Sequence, residues 1–230
     1  MKKSIIALAS IALIGFSSNA QRPVDSNPFS LEGGLSLNST ENTFSAPELR
    51  LRYFATDDIA GRLGIMFNNM TETTNFYGEG SDDFPSADSL GTLKESSSMT
   101  WVSIGGSYHF SQLERLSPYA FLDVMIGMGS YNEEWDDFDG SDFNAGEGAS
   151  LNTSQSGFGV RFGSGFDYYF AENVFIGAEV GFMFLSETDK GGEFTSTSGS
   201  TTTTVKIHSE GSSNMFANNA TAQVRIGWRF

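Results

Sequence analysis

Side chains that carry protons or act as strong nucleophiles near neutral pH are scarce in this chain: it has two histidines, His109 and His208, and no cysteine. A histidine does catalytic work only beside a carboxylate or nucleophile that the fold holds in reach. His208 stands among Ser and Thr with no partner at a recognisable spacing. His109 sits in an alternating segment, on its polar face, where it reads as a polar plug. No enzymatic activity, catalytic residue or cofactor is expected. The lack of Cys also excludes disulfides and thiolate metal sites.

Carboxylates, in contrast, are abundant: 28 acidic residues stand against 13 basic ones, for a net charge of −15. Such a chain repels phosphate backbones, so nucleic acid is not an expected partner. One run concentrates the acids: Glu133, Glu134, Asp136, Asp137, Asp139 and Asp142, with Glu147 just beyond. Oxygen ligands at this density attract Ca²⁺, but the order lacks the spaced ligands and closing Glu of an EF-hand loop. The expectation is weak, diffuse association of cations or cationic ligands, without a defined metal site.

The remaining charges obey a positional rule. Arg50, Arg52, Arg62, Arg161, Arg225 and Arg229 share the polar face of period-two segments with Glu32, Glu48, Asp123, Asp167 and Glu179. Those segments contain no Lys, the residue a water-facing strand would use freely. Six guanidinium groups against five carboxylates, interleaved with Gly, suit a crowded polar interior, because the planar guanidinium pairs bidentately and Gly leaves it room. A lumen charge network is therefore expected, with Glu179 and Asp167 as the candidate partners of Arg161 and Arg225.

The elements that carry these residues read as eight strands, over about 28–37, 46–54, 59–69, 98–110, 118–131, 154–170, 174–185 and 219–230. The last is the clearest: Ala220, Ala222, Val224, Ile226, Trp228 and Phe230 alternate with Asn219, Thr221, Gln223, Arg225, Gly227 and Arg229. Joins after the second, fourth and sixth strands are short, and those after the third, fifth and seventh exceed twenty residues. In an antiparallel meander all the short turns fall at one end and all the long connections at the other. The stretch 195–204, almost wholly Ser, Thr and Gly, reads as flexible. With the charged face inward, the apolar face points out, and aromatics gather toward its short-turn end, as a bilayer interface favours.

These strands and the closing segment Ala222-Gln223-Val224-Arg225-Ile226-Gly227-Trp228-Arg229-Phe230 resemble the small outer-membrane β-barrels of Gram-negative bacteria, of the OmpA, OmpX and OmpW type. The resemblance implies an all-β, eight-stranded antiparallel up-and-down transmembrane barrel with short periplasmic turns and long extracellular loops. It also implies that Ile226, Trp228 and Phe230 form the C-terminal signal read by the barrel-assembly machinery, and that outer-membrane lipid is a partner. No peptidoglycan-binding domain is read after the barrel.

Residues 1–20 have the form of a cleaved signal peptide: Lys2 and Lys3, an apolar run over 5–16, and small residues at Ser18 and Ala20. The run is too short for a helix that spans a bilayer, which needs about 20 residues. Residues 21–230 are then one barrel domain in the outer membrane. Loss of Lys2 and Lys3 leaves 11 basic against 28 acidic residues, a net −17. Eighteen of those acids fall on the four long-connection-end segments. The expected role is structural or surface-interaction. The alternative is a narrow channel or lateral route for small molecules.

Overall fold

The computed structural model describes residues 27–38, 43–77, 89–110, 113–136, 148–207 and 211–230. The expected signal segment and the acids Asp137, Asp139 and Asp142 lie outside those residues, as does His208. Nine strands are described: β1 (Phe29–Asn38), β2 (Thr43–Phe54), β3 (Ile59–Tyr77), β4 (Ser89–His109), β5 (Leu116–Asp136), β6 (Gly148–Ala171), β7 (Val174–Ser198), β8 (Thr201–Ile207) and β9 (Gly211–Arg229). Each of β1 to β6 pairs antiparallel with the next, β7 pairs with β9, and β9 returns to β1. Eight strands thus close a ring, which leaves no backbone edge unpaired in its wall.

The wall is turned inside out relative to a water-soluble barrel. Ile104 is 67% exposed and Ile226 58%, whereas Glu32 is 1% and Arg50 2% exposed. Apolar groups facing outward and charged groups facing inward are stable together only when the outer medium is hydrocarbon. Around the short-turn end Phe29, Tyr53, Tyr108, Phe110, Trp228 and Phe230 all face outward. The rings of Phe29 and Tyr53 lie 5.1 Å apart, as do those of Trp228 and Phe230.

Two expectations need correction. The ring has eight strands, but they run much farther than the apolar alternation, and most of what reads as long loops is paired sheet. At about 3.4 Å per residue and a tilt of about 45°, a strand of about 24 residues rises roughly 55 to 60 Å, against roughly 30 Å of bilayer hydrocarbon. β6 has 24 residues and β7 has 25. The sheet therefore continues well past the membrane as hairpins. The Ser/Thr-rich stretch is also ordered: Ser198 pairs with Thr201 and Thr195 with Thr204 across a turn at Gly199 and Ser200. Gly199 takes a φ of 58°, the left-handed region where a Cβ is disfavoured. Threonine hydroxyls meet across the hairpin, Thr195 to Thr204 at 3.1 Å and Thr197 to Thr202 at 3.2 Å, and β-branched residues of this kind favour strands.

Candidate functional site

The polar interior is built by strands around most of the ring, each sending one to three inward residues to the same level. Glu32 comes from β1, Glu48, Arg50 and Arg52 from β2, Arg62 from β3, Asp123 from β5, Arg161 and Asp167 from β6, Glu179 from β7 and Arg225 from β9. All ten are buried. Five guanidinium groups meet five carboxylates, so this cluster is neutral, and charge burial is matched by pairing.

Its connections are continuous. Arg50 bridges two carboxylates, with Nη2 2.9 Å from Glu48 and Nη1 2.8 Å from Glu179. Glu48 also receives Arg161 at 2.9 and 3.0 Å and the Gln223 amide at 2.7 Å. Asp123 lies 2.9 Å from Arg161 and 3.3 Å from Arg62. Glu179 accepts from Arg62 at 3.2 Å and from the Tyr119 hydroxyl at 2.7 Å. Toward the short-turn end, Asp167 pairs with both Arg225 and Arg52 at 2.8 Å, and Glu32 pairs with the same two arginines. Gly177 makes this packing feasible: a Cβ there would stand 2.7 Å from Arg225 Nη2 and 2.9 Å from Asp167 Oδ1.

The sequence-level candidates thus divide. Arg225 does find Asp167 and stands 3.7 Å from Glu179, but Arg161 takes Glu48 and Asp123 instead of Glu179 or Asp167. Register causes this difference: Asp123 is the direct cross-strand partner of Arg161, whereas Glu179 pairs with Gly165, four residues farther along β6. Arg229 lies apart from the ten, at the short-turn end. There its Nε donates to the Asn27 carbonyl at 2.5 Å, and its guanidinium covers the Phe54 ring at 3.9 Å. His109 is buried at the same end. Its Nδ1 is 2.7 Å from the Ser117 hydroxyl, and its ring is 4.7 Å from that of Tyr119.

Reading by charge alone misses several inward residues. Tyr119 and Gln223 take part in the hydrogen bonding just described, and Arg62 stacks over Phe121 at 4.2 Å, a cation–π contact. On the hairpin side of the charged level lies an apolar layer: Met99, Trp101 and Met125 are buried, with Met66, Met183 and Leu185 packed against them. Gly157 opposite leaves space for the indole, since a Cβ there would fall 2.3 Å from Trp101. Parity along each strand is the signal that finds these residues, because they occupy the same alternate positions as the buried polar and charged residues of their strands.

The family of outer membrane protein beta-barrel domains matches residues 8–230. The chain belongs to that family. No curated protein matches it. Among solved structures, this outer membrane barrel is similar to a major outer membrane protein from Thermus thermophilus, at 14% identity and a TM-score of 0.48, covering 88% of this chain and 98% of that one. It is also similar to CarO of Acinetobacter baumannii, at 10% identity and a TM-score of 0.35, covering 91% and 100%.

In this barrel the expected assembly signal lies on the outer wall, with Ile226, Trp228 and Phe230 facing outward and the ring of Phe230 stacked 6.2 Å from Phe29. The acidic run starts on paired strand: Glu133, Glu134 and Asp136 oppose Leu151, Ser150 and Gly148 of β6. Glu72, Glu95 and Glu133 stand side by side across β3, β4 and β5, and Lys94 stands opposite Glu134. The Tyr131 hydroxyl donates to Glu95 at 2.7 Å. Among the described residues no group of three or more His, Cys, Asp or Glu is placed to hold a metal ion.

Proposed function

We propose that this outer membrane barrel is a closed structural and surface-interaction protein, and not an enzyme or a conduit. The observation that carries this reading is the continuous buried network from Asp123 and Arg161 through Glu48, Arg50 and Glu179 to Arg225, Asp167, Glu32 and Arg52, capped by the Met99, Trp101 and Met125 layer. An eight-stranded ring has an interior just wide enough for side chains to fill it. An ion crossing that level would have to part several mutually bonded charges. Purified, folded protein in planar bilayers is expected to show no unitary conductance. Reproducible current steps would overturn closure and favour the narrow channel or lateral route.

The interacting part is the hairpin end, where neighbouring carboxylates such as Glu72, Glu95 and Glu133 raise the local concentration of cations. Attraction to exposed charges fades as salt shortens the Debye length to about 8 Å at physiological ionic strength. Calorimetric titration of Ca²⁺ into the folded protein should give weak binding that diminishes on raising salt. A tight, salt-insensitive site would replace diffuse attraction with a true metal site.

A further inference from the structure

The lipid-facing wall of β5, β6 and β7 is not even. It holds a groove of about 440 Å³, walled by Phe110, Leu116, Phe166 and Val180 and floored by Ser164 and Ala178. Pockets for small ligands occupy about 300 to 1,000 Å³. The floor is low because small outward residues cluster: Ala120 is the cross-strand neighbour of Ser164, and Ala178 lies diagonally across from Ser164, beside its partner Val180. Glu179 also borders the groove but belongs to the lumen network.

The groove has a direction. One end is at Phe110 and Leu116, which flank the short turn between β4 and β5, and the other is at Val180, six residues into β7. Pairing sets Leu116 level with Ile176 and Ala120 level with Val180, so the groove runs about four residues of tilted strand, a rise of about 10 Å against the roughly 15 Å of hydrocarbon in one leaflet. A cation also stands next in the chain to that short-turn end. Arg115 immediately precedes Leu116, and it is the sole cation among the described residues of the three short turns, whose acids are Asp57, Asp58, Glu114 and Glu172.

We propose that the groove seats one acyl chain of a phospholipid from the leaflet at the short-turn end, with Arg115 holding the phosphate of that lipid. An apolar hollow is not filled by water, and in a bilayer a hydrocarbon chain supplies the missing dispersion contacts. A guanidinium on the residue before Leu116 suits phosphate at that rim through charge-assisted, bidentate hydrogen bonds. The groove's length suits the headgroup-proximal part of a chain that lies along the strands with its headgroup at the rim.

Native mass spectrometry of the folded, full-length protein, with dioleoyl-phosphatidylglycerol and dioleoylglycerol as probes, tests this. Wild type should retain one phosphatidylglycerol at detergent concentrations that remove other lipid. Ala178→Phe, which fills the groove, should abolish retention, whereas Ile126→Phe, on the same face outside it, should not. Arg115→Gln should weaken phosphatidylglycerol binding about tenfold, the size of a lost charged hydrogen bond, and leave dioleoylglycerol binding unchanged. Arg115 lies in a turn outside the ring, so this arm stands even if Ala178→Phe fails to give the unboiled gel shift of a folded barrel. Equal retention by all variants would overturn the proposal. So would a wild-type dimer that Ala178→Phe dissociates, which would make the groove a contact between copies.

Discussion

Val224 and Arg225 are adjacent in β9, yet they meet opposite solvents. Val224 faces outward, with nothing polar required of its surroundings. Arg225 faces inward and is held by Glu32, Asp167 and Tyr119, contributed by three other strands. The outer face therefore tolerates exchange among apolar residues, while a charge on the inner face depends on groups remote in sequence. Met125 shows that the dependence belongs to charge and not to facing inward, since it too is buried in the lumen but packs among Met, Trp and Leu side chains.

Substitutions can break this comparison in order of size. Arg50→Ala removes the link between Glu48 and Glu179 and leaves buried carboxylates short of a partner. It should destabilise the barrel by about 3 to 5 kcal/mol, measured by urea unfolding in lipid vesicles. A cost below that of an ordinary surface change would show that the remaining arginines redistribute freely. Val224→Arg places a charge toward hydrocarbon and should cost about 2 to 4 kcal/mol in the same assay. If it proved harmless, the assignment of faces would be reversed. Met125→Leu keeps volume and polarity and should cost less than about 1.5 kcal/mol, with Trp101 fluorescence reporting the packing beside it. A loss as large as that of Arg50→Ala would mean that the apolar layer is as specific as the charged one.

The ring and the sense of its faces were legible because a bilayer imposes alternation on every strand that crosses it. Leu49, Leu51 and Tyr53 alternate with Glu48, Arg50 and Arg52, and the Lys-free, charge-balanced character of the polar face decides which side points inward. Outside the bilayer that constraint ends. Residues 68–75 of β3 are Asn, Met, Thr and Glu, without apolar alternation, and strand structure there is maintained by pairing with β4, including the Thr71 and Ser96 hydroxyls at 3.3 Å. Such pairing does not show as a hydrophobic period. Partner choice in the lumen was illegible for a different reason. Whether Arg161 reaches Glu48 or Glu179 depends on how far each strand is staggered around the ring, and no single strand's sequence encodes that offset.

The edge of β7 changes partners along its length: Val174 to Asp189 pair with β9, and from Gly192 onward the same edge pairs with β8. β8 is thus bonded to the ring's extension and is not a stave of the ring, and all seven of its residues are exposed. Local unfolding can begin there at little cost, because β8 can detach while every ladder that closes the ring remains intact. The turn at Gly199 and Ser200 is correspondingly the place where a protease cut or an inserted peptide would leave the transmembrane fold unaware of the change.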